Sequence, residues 1–431
     1  MREKLASRLG FIMLAAGCAV GLGNVWRFPF IVGQNGGAAF VLIYFAFLAL
    51  FGFPLLIAEL SLGRASASGI SGAFAALSRR GGRFWHALGA VIFTGNILLM
   101  LYYTDVGGWL LQFTGSYVKE GYAPEFSKMT ADAGSCAGFM ALSVIIAVAV
   151  CACGVQKGVE RITKWMMLSL LALIAVLAVK ALTLEGAAKG LEFYLKPDWG
   201  KVAARPFKVV FDAMGQAFFT LSVGVGCMTI FGSYIGRTHS LVKDSVFIVV
   251  VDTFVAFISG LIIFPACATY GVAVDSGPGL IFEALPKVFA AMDGGRIWGA
   301  AFFLFLSLAA LTTIIAVFEC IIGGIVDETR FKRLPVTLAV GISVMLGSLP
   351  TVFVPGVLEI EDFVFSQFWL PLGALASCIF VSRDFGWGFG GFREEASAGE
   401  GFGMSARLKT LYAWIIPAMI IMVLIGGMIN S

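Results

Sequence analysis

The sequence predicts an all-α integral membrane protein, and three observations carry that reading. Only 13% of its 431 residues are charged while 59% are hydrophobic, against about 25% charged in ordinary soluble proteins. The mean hydropathy is +0.93, so the chain has too little polar surface to coat itself in water. Apolar runs long enough to cross a bilayer, roughly 20 residues each, recur from one end of the sequence to the other.

Bounded by charges or by Gly/Pro clusters, these runs fall near 9 to 32, 38 to 62, 86 to 116, 136 to 153, 162 to 183, 208 to 235, 243 to 270, 296 to 326, 335 to 349, 358 to 381 and 407 to 429. They make about eleven transmembrane helices. The first run follows charged residues but has no small-residue cleavage site, and it contains Asn24 and Arg27. It is therefore read as a retained span and not as a signal peptide.

A cytoplasmic N-terminus puts most of the Lys and Arg residues of the short loops inside, among them Arg64, Arg79, Arg80, Arg83, Lys157, Arg161, Lys164, Arg237, Lys243, Arg330, Lys332, Arg333 and Arg383. The positive-inside bias supports that orientation. It makes the Gly- and Glu-rich stretch 384 to 405 an inner loop and leaves Ser431 outside. The expected location is the bacterial inner membrane. Two outer segments, 184 to 208 and 274 to 296, are long enough to fold, and the second predicts a short helix over 279 to 292 that could act as an outer lid.

Composition also excludes partners. The net charge of +4 is small and the basic residues form no stripe, so nucleic acid is not expected. The eight cysteines lie in or beside apolar runs without metal-ligand spacing, and there are only two histidines, His86 and His239. No transition-metal site and no organic cofactor are expected.

The first span carries Gly17, Gly21, Gly23, Asn24, Arg27 and Pro29 at membrane depth. A lipid-facing helix does not tolerate that set, because irregular backbone survives there only when buried in protein or lining a wet cavity. The sixth span repeats the pattern with Gly215, Gln216, Thr220, Ser222, Gly224 and Gly226. Two Gly-interrupted spans at matching places in two five-span halves point to an inverted-repeat transporter whose broken helices meet at the midplane. The halves are 1–183 and 208–382, joined by an outer loop at 184–207 and followed by the inner loop 383–405 and a final span at 406–431. The free amides of half-helix N-termini suit a carboxylate, and freed carbonyls suit a small cation. Glycines alone could simply serve close helix packing, but that leaves the neighbouring polar residues without a purpose.

Further polar residues at depth are Glu59, Tyr103, Asp105, Asp252, Thr312, Thr313, Glu319 and Asp362. A charged, unpaired side chain at that depth costs about 2.5 to 3.5 kcal/mol on insertion scales. Asp252, in an otherwise apolar run, demands a partner. An intramembrane enzyme would need a base beside a nucleophile such as Cys18 or Ser222, and no histidine lies near either in sequence. A solute sensor that binds without turnover would need the same site as a transporter.

At these residues the chain resembles the neurotransmitter:sodium symporter family, in particular its bacterial amino-acid branch. The resemblance covers nearly the whole sequence, most specifically at Ser7 to Gly10, Ala19 to Asn24, Arg27 to Pro29, Asn35 to Gly37, Tyr102 and Tyr103, Gln216 to Ser222 and Leu370 to Gly373. It implies sodium-coupled uptake of an amino acid by alternating access. It implies a first sodium site from the Ala19 carbonyl, Asn24, Thr220 and Asp252, completed by the substrate carboxylate. A second would use the carbonyls of Gly17, Val20 and Ala309 with the hydroxyls of Thr312 and Thr313. The substrate carboxylate would meet the amides near Leu22 and Gly23 and the Tyr103 hydroxyl, with Ala19, Thr220 and Thr313 alongside. Its side chain would lie among Cys18, Leu99, Phe219, Ser222, Val225 and Val317, a mostly apolar set that fits a neutral hydrophobic or aromatic amino acid. The outer gate resembles Arg27 with Asp362, helped by Gln216. The inner gate resembles Arg2 with Asp327, near Ser233 and Tyr234.

The departures from the family pattern are equally specific. Leu5 stands where a tryptophan usually plugs the inner vestibule, and Leu168 where many members have a proline. A chloride shell resembling that of animal members would need Tyr44, Gln216, Thr220 and a serine, but the serine position is Ala256. The resemblance therefore implies a chloride-independent protein in which Asp252 supplies the negative charge.

Overall fold

The computed structural model describes residues 3–272, 279–401 and 403–429. Helices dominate it. Among the described residues, nine are apolar and long enough to cross a membrane: α3 (Ala38–Ser66), α4 (Gly82–Lys119), α5 (Ala133–Ala152), α6 (Val155–Leu182), α9 (Leu241–Tyr270), α10 (Gly295–Thr329), α11 (Arg333–Phe353), α12 (Val357–Ser382) and α13 (Leu408–Gly426). Ahead of them, α1 (Arg8–Ala19) and α2 (Gly23–Gln34) form one span bent by 57°. A second interrupted pair, α7 (Pro206–Thr220) and α8 (Cys227–Gly232), lies between α6 and α9.

Local chemistry sets the ends. The Ser7 side chain caps α1 by accepting from the Gly10 amide at 3.0 Å, Asp132 caps α5 through the Ser135 amide at 3.1 Å, and Ser240 caps α9. Pro29 and Pro206 stand in the first turns of their helices, where the missing amide proton costs nothing.

The α10 helix forms the axis of the molecule. In its most apolar window 83% of the residues are buried, whereas α6 and α13 bury only 33%, so α10 is apolar because protein surrounds it and the other two because lipid would. It packs against α1, α4, α5 and α6. The two halves of α3 pack on α7 and α8 respectively, which brings both sides of the second break against one long helix. Short helices cover the ends: Ala187–Leu195 rests on α9, and Phe389–Ala396 on the end of α3. The expected lid helix at 279 to 292 takes the form of Leu280–Ala284 continued by Leu285–Ala291.

The chain's start is fastened to other elements. Glu160, where α6 begins, accepts from the Ala6 amide at 2.7 Å, the Ser7 amide at 3.0 Å and the Ser7 hydroxyl at 2.8 Å. Arg8 pairs with buried Asp244 of α9 at 2.6 Å.

Candidate functional site

The two breaks lie side by side. Val20 and Leu22 carry the chain from α1 to α2, and residues 221 to 226 carry it from α7 to α8. Ser222 ties them together. Its φ of +50° is left-handed, and its hydroxyl donates to the Cys18 carbonyl at 3.0 Å. Gly224 has a φ of +108°, and a Cβ there would sit 2.2 Å from the Leu370 carbonyl oxygen, so the sequence can break at that point only with glycine. Glu59 of α3 holds the Gly224 amide at 2.5 Å.

Between the breaks is a small cavity of about 30 Å³ lined by Cys18, Ala19, Gly21, Gly23, Leu99, Tyr103, Phe219, Ser222, Val225, Cys227, Thr313, Val317, Phe365 and Leu370. Ten of these were expected from the sequence; Gly21, Cys227, Phe365 and Leu370 were not. Leu22 and Thr220 stand just behind the wall. The Leu22 amide donates to the Tyr103 hydroxyl at 3.2 Å. No aspartate or glutamate lines the cavity. Gly21 has no side chain for a steric reason, since a Cβ would meet the Tyr103 hydroxyl at 2.6 Å and the Thr313 hydroxyl at 3.1 Å.

Two oxygen clusters flank the cavity. In the first, Asn24 Nδ2 donates to Asp252 Oδ1 at 2.7 Å, to the Asp252 carbonyl at 3.1 Å and to Thr220 Oγ1 at 3.2 Å. The Thr220 hydroxyl donates to Asp252 Oδ2 at 2.8 Å, and Asn24 Oδ1 accepts from the Gly21 amide at 3.2 Å. Asn24 and Asp252 are fully buried, and this network satisfies both carboxylate oxygens. Ala19 lines the adjoining cavity. In the second cluster the Thr313 hydroxyl lies 3.2 Å from the Gly17 carbonyl, 3.3 Å from that of Val20 and 3.3 Å from that of Ala309. Thr312 donates to Ala309 at 2.9 Å. All five residues expected there converge from α1 and α10, and their donor set of neutral oxygens fits a hard monovalent cation. Among the described residues no group of three His, Cys, Asp or Glu side chains could hold a metal.

The expected gate residues are placed differently at the two ends. At the end expected to face outward Gln216 Nε2 donates to the Gly23 carbonyl at 3.1 Å. Arg27 and Asp362 form no direct ion pair in this structure. The guanidinium of Arg27 lies 4.7 Å over the Phe219 ring instead, and Asp362 accepts from the Tyr102 hydroxyl at 3.0 Å. Above them opens a vestibule with Asp212, Glu359 and Gln367 in its walls. At the end expected to face inward Asp327 accepts from the Gly69 amide at 2.9 Å, and Ser233 bonds its own helix at Ile230. Tyr234 donates to buried Glu319 at 2.6 Å, and Glu319 in turn pairs with Arg333. Arg2 lies outside the described residues. Leu5, in the tryptophan position, packs on the core and bonds the Tyr234 carbonyl through its amide at 3.1 Å. Leu168 lies within continuous helix, and the irregular turn of α6 falls earlier, at Val155–Glu160.

Comparison with known proteins agrees with this arrangement. The chain matches the sodium:neurotransmitter symporter family over residues 2–123 and 115–431. It is 32% identical to an uncharacterized sodium-dependent transporter, YhdH, of Bacillus subtilis, over 98% of this chain and 96% of that protein. It is 28% identical to the sodium-dependent serotonin transporter of Drosophila melanogaster, over 88% of this chain and 68% of that one. Its fold superimposes on the crystal structure of MhsT in complex with L-phenylalanine with a TM-score of 0.88 and 33% identity, covering 99% of this chain and all of the other. The chain therefore belongs to the sodium:neurotransmitter symporter family, and it is a sodium-dependent membrane transporter and not an enzyme.

Proposed function

We propose that the protein carries a neutral hydrophobic or aromatic amino acid into the cell together with sodium, by alternating access around the cavity between the breaks. The observation that carries this reading is the cavity's polarity. One end offers the Tyr103 hydroxyl and the backbone around Leu22 and Gly23, and the remainder is mostly apolar, with Leu99, Phe219, Val225, Val317, Phe365 and Leu370 beside the uncharged Cys18, Ser222, Cys227 and Thr313. With no acid in its wall, the cavity has no counter-charge for a simple amine, whereas a zwitterion brings its own. The phenylalanine complex of MhsT supports the same reading.

Two sodium ions fit the two oxygen clusters. The first, at Ala19, Asn24, Thr220 and Asp252, adjoins the Tyr103 end of the cavity, so a substrate carboxylate would complete it and couple ion to solute. The second, at Gly17, Val20, Ala309, Thr312 and Thr313, spans α1 and α10, so its ion would hold the first broken helix against the axis helix. Asp252 supplies a fixed negative charge beside the first ion, and chloride is not required. Opening would proceed through Arg27, Phe219 and Asp362 on the outer face and through Tyr234, Asp327 and the fastenings of Glu160 and Arg8 on the inner face. The N-terminus is cytoplasmic, and 1–183 and 208–382 are the two repeats. A sensor would bind identically without turnover. Equilibrium binding of labelled amino acids to purified protein, with sodium or potassium, tests the site. Binding that does not depend on sodium would overturn this reading.

A further inference from the structure

The α4 helix reaches both breaks with one face. Tyr103 bonds the first break at the Leu22 amide, and Asn96, seven residues or about 10 Å earlier along the helix, bonds the second. Asn96 is 1% exposed. Its Nδ2 donates to the Val225 carbonyl at 2.8 Å and to its own helix at Phe93 at 3.1 Å, and its Oδ1 accepts from the Cys227 thiol at 2.9 Å. Leu99 lies between the two positions at i+3 and i+4 spacing and forms part of the cavity wall.

Val225 and Cys227 also line the cavity; Val225 belongs to the stretch where the backbone leaves helical geometry, and Cys227 is the first residue of α8 after it. Unwound backbone lacks the internal bonds that fix a helix, so its position depends on what outside groups hold it. Glu59 grips the Gly224 amide from α3, and Asn96 grips the next carbonyl from α4. A polar amide in the middle of a membrane helix is costly unless used, and Asn96 turns one donor bond and its acceptor toward the second break.

We propose that Asn96 is a specificity-determining positioning residue. By holding Val225 and Cys227 at a fixed height along α4, it sets the distance between the wall at the second break and Tyr103, and so the length of side chain the cavity accepts. The inference rests on the amino-acid reading above and adds to it the group that measures side-chain size.

The test uses purified full-length protein in sodium, with alanine, valine, leucine, phenylalanine and tryptophan competing against a labelled neutral amino acid that binds the unmodified protein. Asn96→Leu keeps the number and branching of the side-chain heavy atoms and removes all three hydrogen bonds. It should change the affinity ratio between the shortest and longest ligands by about fivefold or more, with the sodium concentration for half-saturation within roughly twofold of its starting value. Asn96→Gln retains an amide and should move the ratio back toward that of the unmodified protein. Thr114→Val removes a half-buried hydroxyl, farther along the same helix, that is bonded to Ser307, and should lower stability without moving the ratio. If Asn96→Leu fails to fold, Cys227→Ala removes one of its partners and must shift the ratio. A uniform change across all ligands, or none, would overturn the inference. If no amino acid shows sodium-dependent binding to the unmodified protein, the functional reading itself falls and takes this inference with it.

Discussion

The Tyr103 hydroxyl accepts its hydrogen bond from the Leu22 amide at 3.2 Å, so the phenol binds the first break as an acceptor and keeps its own proton for donation. A ligand carboxylate in the cavity is the natural recipient. Tyr103→Phe deletes that donor while preserving the ring, and hydrogen bonds to charged groups contribute about 1.5 to 3 kcal/mol. Substrate affinity should fall by roughly 10- to 150-fold, read by equilibrium binding. Unchanged affinity would remove Tyr103 from the site.

The apolar wall predicts which ligands compete. Leucine, phenylalanine, tyrosine and tryptophan should displace one another, while lysine and glutamate should not, because no cavity residue offers a charge to a side chain. Selective transport of a charged amino acid would contradict the substrate assignment.

Asp252 predicts the anion requirement. Its carboxylate meets both Asn24 and Thr220, and Ala256, one turn along α9, presents no hydroxyl. Uptake should persist when chloride is replaced by gluconate. The pair Asp252→Asn with Ala256→Ser should become chloride-responsive. An unmodified protein that stops without chloride would exclude a built-in counter-charge.

On the side assigned to the cytoplasm, Glu395 collects Arg64 at 2.7 Å and Arg237 at 2.5 Å. Burial pushes its carboxyl upward, but the bonds from Arg237 and Arg64 outweigh that and hold it below the ordinary glutamate value. A depressed carboxyl stabilises the fold above the unfolded value of about 4.3, and the contribution is lost as pH falls through the folded value. Glu395→Gln leaves the nearly buried Arg64 short of its partner, a loss of about 3 to 5 kcal/mol at most. Thermal melts in detergent should separate the variant from the unmodified protein at neutral pH, and the gap should narrow as pH falls below the ordinary glutamate value of about 4.3. A gap that stays equal would argue against the ion pair.

Much of the site could be read from residue type alone. Gly17 to Asn24 and Gln216 to Gly226 violate what lipid permits, and the structure brings both stretches to one cavity. The oxygen ligands could be read only through family likeness, because carbonyls leave no mark in a sequence: Ala309 looks like any other alanine until Thr313 is seen against it. Asn96 escaped notice, and the partner of Tyr102 went unread, because one amide or phenol in a 38-residue helix has no spacing that announces its partner. Their partners lie far along the chain, at Val225 and Asp362. Glu160 was missed for a similar reason, since a charge at a helix start usually faces water. The gate of Arg27 and Asp362 was legible only through family likeness, and in this structure Arg27 lies over the Phe219 ring while Asp362 accepts from the Tyr102 hydroxyl.

The central claim is that solute moves only with sodium. Purified protein in sealed liposomes, loaded with potassium and diluted into sodium, should accumulate labelled phenylalanine or leucine above its outside concentration, and collapsing the sodium gradient should release it. Sodium-dependent binding without any such accumulation would contradict transport and make the protein a sensor.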